Sequence, residues 1–243
     1  MRYPPAPGHR PPSIRDFYAF EAHVATARRA RGLGMDPGWY EEPVFYFSNP
    51  ACVVADGEVV RFPRASSAWD YELEVAAVIG VECRDVPAEG NAWLDVVAGF
   101  TIMNDWSARD LQRREMAQGL GPAKGKDFAT SLGPVLVAPT ALPGAATGRP
   151  RAAMVARVDG VERSRGDLAD LTFAWPRLLA QASRDTVLVP GDVIGSGTVG
   201  TGCLLELRAV AEAAGEEPLP WLASGDVVEC EVDGIGLLRN QVA

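Results

Sequence analysis

Two carboxylates two residues apart, Glu72 and Glu74, interrupt an otherwise apolar run that reads Asp70-Tyr71-Glu72-Leu73-Glu74-Val75-Ala76-Ala77-Val78-Ile79-Gly80. Side chains of a strand alternate between faces, so the two acids share one face and stand roughly 7 Å apart along it. Burial and mutual repulsion beside Val75 and Val78 drive such a pair toward its neutral form, and a cation removes the penalty. A third acid comes from a second apolar run, residues 96–103, which reads as a buried strand delivering Asn104 and Asp105 just before a helix opens at Ser107. Three carboxylates with no thiolate or imidazole among them are hard oxygen donors, which favours Mg²⁺, Mn²⁺ or Ca²⁺ over Zn²⁺. The plain alternative for Glu72 and Glu74 is the solvent side of an edge strand.

Other elements must bring further groups to these acids. Ser13 as N-cap, with Asp16 three residues on, and Gly32 as a stop predict one N-terminal helix. Asp16, Phe20, His23 and Ala27 recur on it with helical spacing, so Asp16 and His23 point the same way about 10 Å apart along the axis. Residues 107–118 read as a helix with Arg109 and Gln112 on one face, where Arg109 could equally pair with Asp110 or Glu115 at the surface. A glycine-rich loop, residues 119–128, carries Lys124 and Lys126. It lacks the G-K-[ST] of a phosphate loop, but a lysine there can meet an enolate or a carboxylate. Short strands are expected at 44–47, 52–55 and 59–62, with a hairpin turn at Asp56-Gly57, and at 133–138 and 154–159, the last turning at Asp159-Gly160. Residues 171–182 read as a helix with Trp175 and Leu178 inward. Pro190-Gly191 fits a type II turn, and the small residues of 195–202 let backbone approach a ligand. Glu206 reads as lying inside an apolar strand, where it needs a partner. The C-terminal half is mostly β.

The chain has 243 residues, 47% of them hydrophobic, with 23 basic against 32 acidic side chains and a net charge of −9. That length suits one domain, residues 13–243, behind an extended proline-rich arm, residues 1–12. The negative balance argues against nucleic acid or an anionic membrane as partner. No run nears the roughly 20 apolar residues of a membrane span and the start lacks a signal-peptide core, so the expected location is cytoplasmic. Cys52, Cys83, Cys203 and Cys230 form no C-x-x-C pair. Only His9 and His23 can supply an imidazole base.

Five blocks occur in one order: Asp16-Phe17-Tyr18 with His23; Glu72-Leu73-Glu74; Met103-Asn104-Asp105-Trp106-Ser107-Ala108-Arg109-Asp110 with Gln112; Gly121-Pro122 through Gly125-Lys126; and Ser196-Gly197-Thr198 with Glu206. Together they resemble the fumarylacetoacetate hydrolase family over residues 13–240. The resemblance implies an α+β, mainly β fold, a mixed β-sandwich roll with a few flanking helices, in a homodimer holding one divalent cation. It implies Glu72, Glu74 and Asp105 as metal ligands with Asp16 as a fourth, His23 as base and Glu206 as its orienting carboxylate. Tyr18, Tyr46, Arg109, Gln112, Lys126 and Thr198 match substrate-contacting positions, and Arg109 and Lys126 would also steady developing negative charge. The family's tyrosine a few residues after Gln112 is replaced near Met116, and its arginine after His23 is Arg28, Arg29 or Arg31. The implied activity is hydrolytic cleavage of a carbon–carbon bond in a 1,3-dicarbonyl acid such as an acylpyruvate or fumarylacetoacetate. The same site would also serve a 2-oxo acid decarboxylase, isomerase or hydratase, and a third reading is a non-catalytic metal-binding or assembly protein.

Overall fold

The computed structural model of the chain describes residues 10–243. The two long apolar runs become the adjacent strands Leu73–Ile79 and Val97–Asp105 at the middle of a seven-stranded sheet. Its order is Phe45–Ser48, Ile14–Phe17, Val193–Gly195, Leu73–Ile79, Val97–Asp105, Thr130–Leu132, Val53–Val54. Ile14–Phe17 runs parallel to Val193–Gly195, and Thr130–Leu132 parallel to Val53–Val54; the remaining pairs are antiparallel. A second, five-stranded sheet has the order Val161–Asp167, Ala153–Val158, Val227–Val232, Gly236–Val242, Val59–Val60. The architecture is the mainly β sandwich roll with flanking helices that the sequence predicts.

Alternation along Leu73–Ile79 assigns its two faces different work. Leu73, Val75, Ala77 and Ile79 join Phe100 and Ile102 in the core shared with Met154, Ala156, Cys230 and Leu238 of the second sheet. Burying each large aliphatic or aromatic side chain there contributes about 1.5–3 kcal/mol. On the opposite face Ala76 and Val78 pack with Ile14, Met103, Leu132 and Val193. Glu74 belongs to this second face, so its carboxylate points away from the main core. The Asp159-Gly160 turn has φ of 51° and 75° at its two residues, the left-handed backbone of a tight hairpin joining Ala153–Val158 to Val161–Asp167. Trp175–Ser183 is helical with Pro176 in its first turn, where a proline costs no hydrogen bond, and it buries Trp175 and Leu178.

Several local expectations are corrected. The N-terminal segment is a strand, Ile14–Phe17, followed by a shorter helix, Glu21–Arg29. Pairing on both sides, with Val193–Gly195 and Phe45–Ser48, overrides the capping pattern, and the Ser13 hydroxyl donates instead to Asp192 at 2.7 Å. Asp16 and His23 therefore share no helix face. Glu206 lies in the first turn of a helix, Leu204–Ala214, whose leucines, alanines and glutamate are strong helix formers despite their apolar look. Asp56-Gly57 makes a turn, yet Val53–Val54 and Val59–Val60 enter different sheets, so no hairpin forms. The strand expected at 133–138 is Thr130–Leu132, with Val137 bridging Phe100 beyond it. The helix after Asp105 is Arg109–Met116, because Ser107–Ala108 first pairs with Trp69–Asp70. The expected arm over 1–12 lies, up to residue 9, outside the described residues.

Candidate metal and catalytic site

Sheet register brings three acids to one face. Asp16 pairs across to Gly195, Gly195 to Ala76, Glu74 to Met103, and Asp105 lies two residues beyond Met103 on the same face. Carboxylate oxygens of Asp16, Glu74 and Asp105 lie within 4.8 Å of one another, all buried. One oxygen of each, Asp16 Oδ1, Glu74 Oε2 and Asp105 Oδ1, is buried without a hydrogen-bond partner. The cradle depends on Gly195, since a Cβ there would overlap Asp16 Oδ1 and stand 2.7 Å from Met103 Cε. Two of the other oxygens are held: Tyr46 donates its hydroxyl to Asp105 Oδ2, and Thr198 Oγ1 donates to Glu74 Oε1 at 3.3 Å.

Beside this trio lies a network of matched charge. Lys126 Nζ stands 2.5 Å from both Glu72 Oε2 and Asp105 Oδ2. Arg109 Nη2 donates to Glu72 Oε1 at 2.7 Å, its Nε to Asp70 Oδ2 at 2.7 Å and its Nη1 to Gln112 Oε1 at 3.0 Å. The loop that presents Lys126 is tied to the Arg109–Met116 helix: Glu115 Oε2 accepts from the backbone of Ala123 and Gly125, and Gly125 O accepts from Ala108. Asn104 Oδ1 accepts from the Glu72 backbone at 2.9 Å and fixes where that side chain starts.

Glu72 titrates in the opposite direction to Asp16 and Glu74. Burial, then the charge of Asp105, raises the Asp16 carboxyl well above its ordinary range; burial, then Asp16, does the same to Glu74. Burial also opposes ionisation of Glu72, but the Lys126 ammonium and Arg109 guanidinium outweigh it and hold that carboxyl far below its ordinary value. Asp16, Asp70, Glu72, Glu74 and Asp105 are five buried carboxylates facing the two cations Arg109 and Lys126. A dication offsets two of the three uncompensated charges, and the three unpartnered oxygens are the hard donors it takes. The residues therefore fit a divalent cation.

The imidazole lies on a separate element. His23, in the Glu21–Arg29 helix, is 4% exposed, and its Nδ1 is 2.6 Å from Glu206 Oε1. Glu206 Oε2 accepts from the Thr201 backbone at 3.1 Å, and Cys203 Sγ lies 3.7 Å from Oε1. A carboxylate on Nδ1 fixes the proton there and leaves the Nε2 lone pair free for proton transfer. The Tyr18 ring meets His23 edge-on at 5.3 Å between centroids. Burial pushes the Tyr18 hydroxyl up to about 12, with the charge of Arg31 as the main opposing influence.

The family model for the fumarylacetoacetate (FAA) hydrolase C-terminal domain matches residues 13–243. The chain belongs to the fumarylacetoacetate hydrolase family. A family relative, an oxaloacetate tautomerase of Bacillus subtilis, is 33% identical over 212 residues, 86% of this chain and 64% of that one. The 4-hydroxyphenylacetate degradation bifunctional isomerase/decarboxylase of Escherichia coli is 31% identical over 83% of this chain and 42% of its own length. Among solved structures, the fumarylpyruvate hydrolase of Pseudomonas aeruginosa, in complex with Mn²⁺ and pyruvate, superimposes with a TM-score of 0.70 at 25% identity over 97% of both chains. Among the described residues no helix is long and apolar enough to cross a membrane.

Within this family fold, Asp16, Glu72, Glu74, Asp105, Lys126, Arg109, Gln112, Tyr46 and Thr198 form one connected polar cluster, and Tyr18, His23 and Glu206 form its neighbour. Glu72 differs from its expected role in one respect: both its oxygens are engaged by Lys126 and Arg109, whereas Asp16 offers a free oxygen. Asp70 escaped sequence reading. It lies two residues before Glu72, but its partners come from 39 and 134 residues away, and nothing local announces them.

Proposed function

We propose that this chain is a divalent-cation-dependent enzyme that hydrolyses a carbon–carbon bond in a 1,3-dicarbonyl acid of the acylpyruvate or fumarylacetoacetate kind. The observation that carries this reading is the presence in one fold of a buried His23–Glu206 pair, whose imidazole acts electrostatically on Glu72, and three clustered acids with unpartnered oxygens. Asp16, Glu74 and Asp105 would hold Mg²⁺, or Mn²⁺ or Ca²⁺, and Glu72 could join them only by loosening Lys126 or Arg109. When bound, the cation would supply Lewis-acid polarisation of the substrate's oxygens and a template for its orientation.

Glu206 keeps the His23 proton on Nδ1, so Nε2 accepts a proton from water as that water adds to the substrate carbonyl. Rupture of the carbon–carbon bond then leaves its electron pair on the departing fragment as an enolate. Lys126 and Arg109, held in advance by Glu72 and Asp70, oppose that charge without having to reorganise. Tyr46 and Thr198 orient Asp105 and Glu74, while Tyr18 and Gln112 line the substrate's approach. The small oxo or diketo acid is the partner in this reading, with a homodimer as the assembly and the cytoplasm as the location.

A second reading, keto–enol tautomerisation or decarboxylation of a 2-oxo acid such as oxaloacetate, is favoured by the names of the two curated relatives. It uses the same acids and cations but needs no attacking water. Purified protein with Mg²⁺ or Mn²⁺ should convert an acylpyruvate to pyruvate and a carboxylic acid, followed by NMR, and His23→Ala should lose that turnover while keeping cation uptake. Interconversion or decarboxylation of oxaloacetate with acylpyruvates untouched would replace the first reading with the second.

A further inference from the structure

We propose that Asp70 is a positioning residue that aims the His23–Glu206 pair and Arg109 together. The inference rests on the reading of His23 as the base. Asp70 is fully buried on the two-residue strand Trp69–Asp70, beneath both halves of the site. Its Oδ1 accepts from the Leu204 backbone N–H at 2.7 Å; its Oδ2 accepts from the Leu205 N–H at 3.0 Å and from Arg109 Nε at 2.7 Å. Leu204 and Leu205 are the first two residues of the Leu204–Ala214 helix, and the preceding residue, Cys203, makes no side-chain cap. Asp70 supplies that cap from 134 residues earlier, with a negative charge at the helix end that favours one.

Glu206 is the next residue of the same turn. Fixing the two backbone groups before it sets the line along which its carboxylate reaches His23 Nδ1 at 2.6 Å. The other arm is Arg109: with Nε on Asp70, its two remaining nitrogens are directed to Glu72 at 2.7 Å and Gln112 at 3.0 Å. One carboxylate thus stands between the group that moves a proton and the group that opposes the charge released. A helix cap alone would not require a charged partner from the facing element, and an ion pair alone would not require the two helix N–H groups. Asp70 uses both oxygens to satisfy both.

The chain contains only two histidines, so selective ¹⁵N labelling gives a readable imidazole spectrum. Wild-type protein should show His23 locked in the Nδ1–H tautomer with a slowly exchanging Nδ1 proton. Asp70→Asn should lose that lock while the fold and Mn²⁺ affinity persist, and kcat should fall by about 10²-fold, the scale of losing one preorganised electrostatic contact. The double variant Asp70→Asn/Glu206→Gln should lose less than the product of the two single losses, because the part of the Asp70 effect that passes through Glu206 is already gone while the part that passes through Arg109 remains. An unchanged His23 spectrum in folded Asp70→Asn, or losses that multiply in the double variant, would overturn the inference. Should Asp70→Asn not fold, Leu204→Pro removes the N–H facing Asp70 Oδ1 at the first helical position, where proline fits, and Leu204→Ala controls for the buried side chain lost with it; a His23 spectrum changed in Leu204→Pro beyond Leu204→Ala supports the role, and equal or absent changes remove it. The spectrum is read without substrate, so its outcome is independent of which reaction the enzyme performs.

Discussion

Two groups of buried charge adjoin at Asp105 and differ in how they are balanced. Asp70, Glu72, Arg109 and Lys126 are matched, each carboxylate oxygen meeting a donor within 3.0 Å. Asp16 and Glu74, with one oxygen of Asp105, are not: three oxygens are sealed from solvent without a donor. Burying an ionised group without a partner is costly, and sequences lose such arrangements unless something offsets the cost. The matched group therefore reads as machinery for position and charge, and the unmatched one as a seat for a cation.

Asp105 belongs to both groups, through an unpartnered Oδ1 and an Oδ2 held by Lys126 and Tyr46. Asp105→Ala should break the comparison most severely, lowering turnover by about 10³-fold and abolishing cation uptake, since it removes a hard donor and a counter-charge together. Calorimetric titration with Mn²⁺ alongside kinetics checks this. Lys126→Met acts on the matched group alone. It should cost about 10²-fold in kcat and about 3–5 kcal/mol of stability, because Glu72 and Asp105 lose a buried partner, whereas cation uptake should survive. Loss of uptake in Lys126→Met would merge the two groups into one.

Gly195→Ala addresses the unmatched group through shape. The added methyl would collide with Asp16 Oδ1 and crowd Met103 Cε, so it should destabilise by about 1–3 kcal/mol and weaken cation binding, with the Lys126–Glu72 pair intact. Thermal unfolding with and without Mn²⁺ separates the effects: the stabilisation that Mn²⁺ gives the wild type should shrink in the variant.

Acid titration should expose the contrast through its sign. Asp16 and Glu74 have folded-state pKa values raised above the ordinary 3.8 and 4.5, so the cation-free fold binds protons more tightly than the unfolded chain. Their contribution to stability is complete below those ordinary values and is lost as pH rises through the folded ones. Glu72 is depressed, so its contribution is present above 4.5 and is lost as pH falls through its lower folded value. Melting temperature measured against pH with a chelator should decline on both limbs, and saturating Mn²⁺ should lift the upper one. Cation binding displaces protons from Asp16 and Glu74, so affinity should rise with pH over the same upper window.

How much of this was legible in the sequence depends on the range of each interaction. Glu74 and Asp105 stand in long apolar runs whose period of two survives folding, so strand, face and acid could be read together, whereas Glu72 falls just before the strand Leu73–Ile79. Asp16 sits in a four-residue strand, too short for alternation to outweigh a capping signal, and its strand is fixed by the partners on either side. Glu206 sits among leucines and alanines that suit either element, and a burial pattern of one polar residue cannot separate them. The family resemblance located both residues without their local structure. Asp70 lacked even that, because a cap supplied from 134 residues away leaves no trace in spacing.

The smallest expected effect comes from two lysines two residues apart in one loop. Lys126 is 4% exposed and grips two buried carboxylates, whereas Lys124 stands in solvent and meets only Asp127, at 2.9 Å. Both are cations on a glycine-rich segment, so composition and spacing treat them alike. An exposed ion pair between neighbouring side chains is screened and offset by the freedom it removes. Lys124→Ala should accordingly leave kcat, cation uptake and melting temperature within experimental error of wild type. A turnover loss approaching that of Lys126→Met would mean that the loop moves Lys124 toward the acids during catalysis, and that charge outside the buried network also takes part in the reaction.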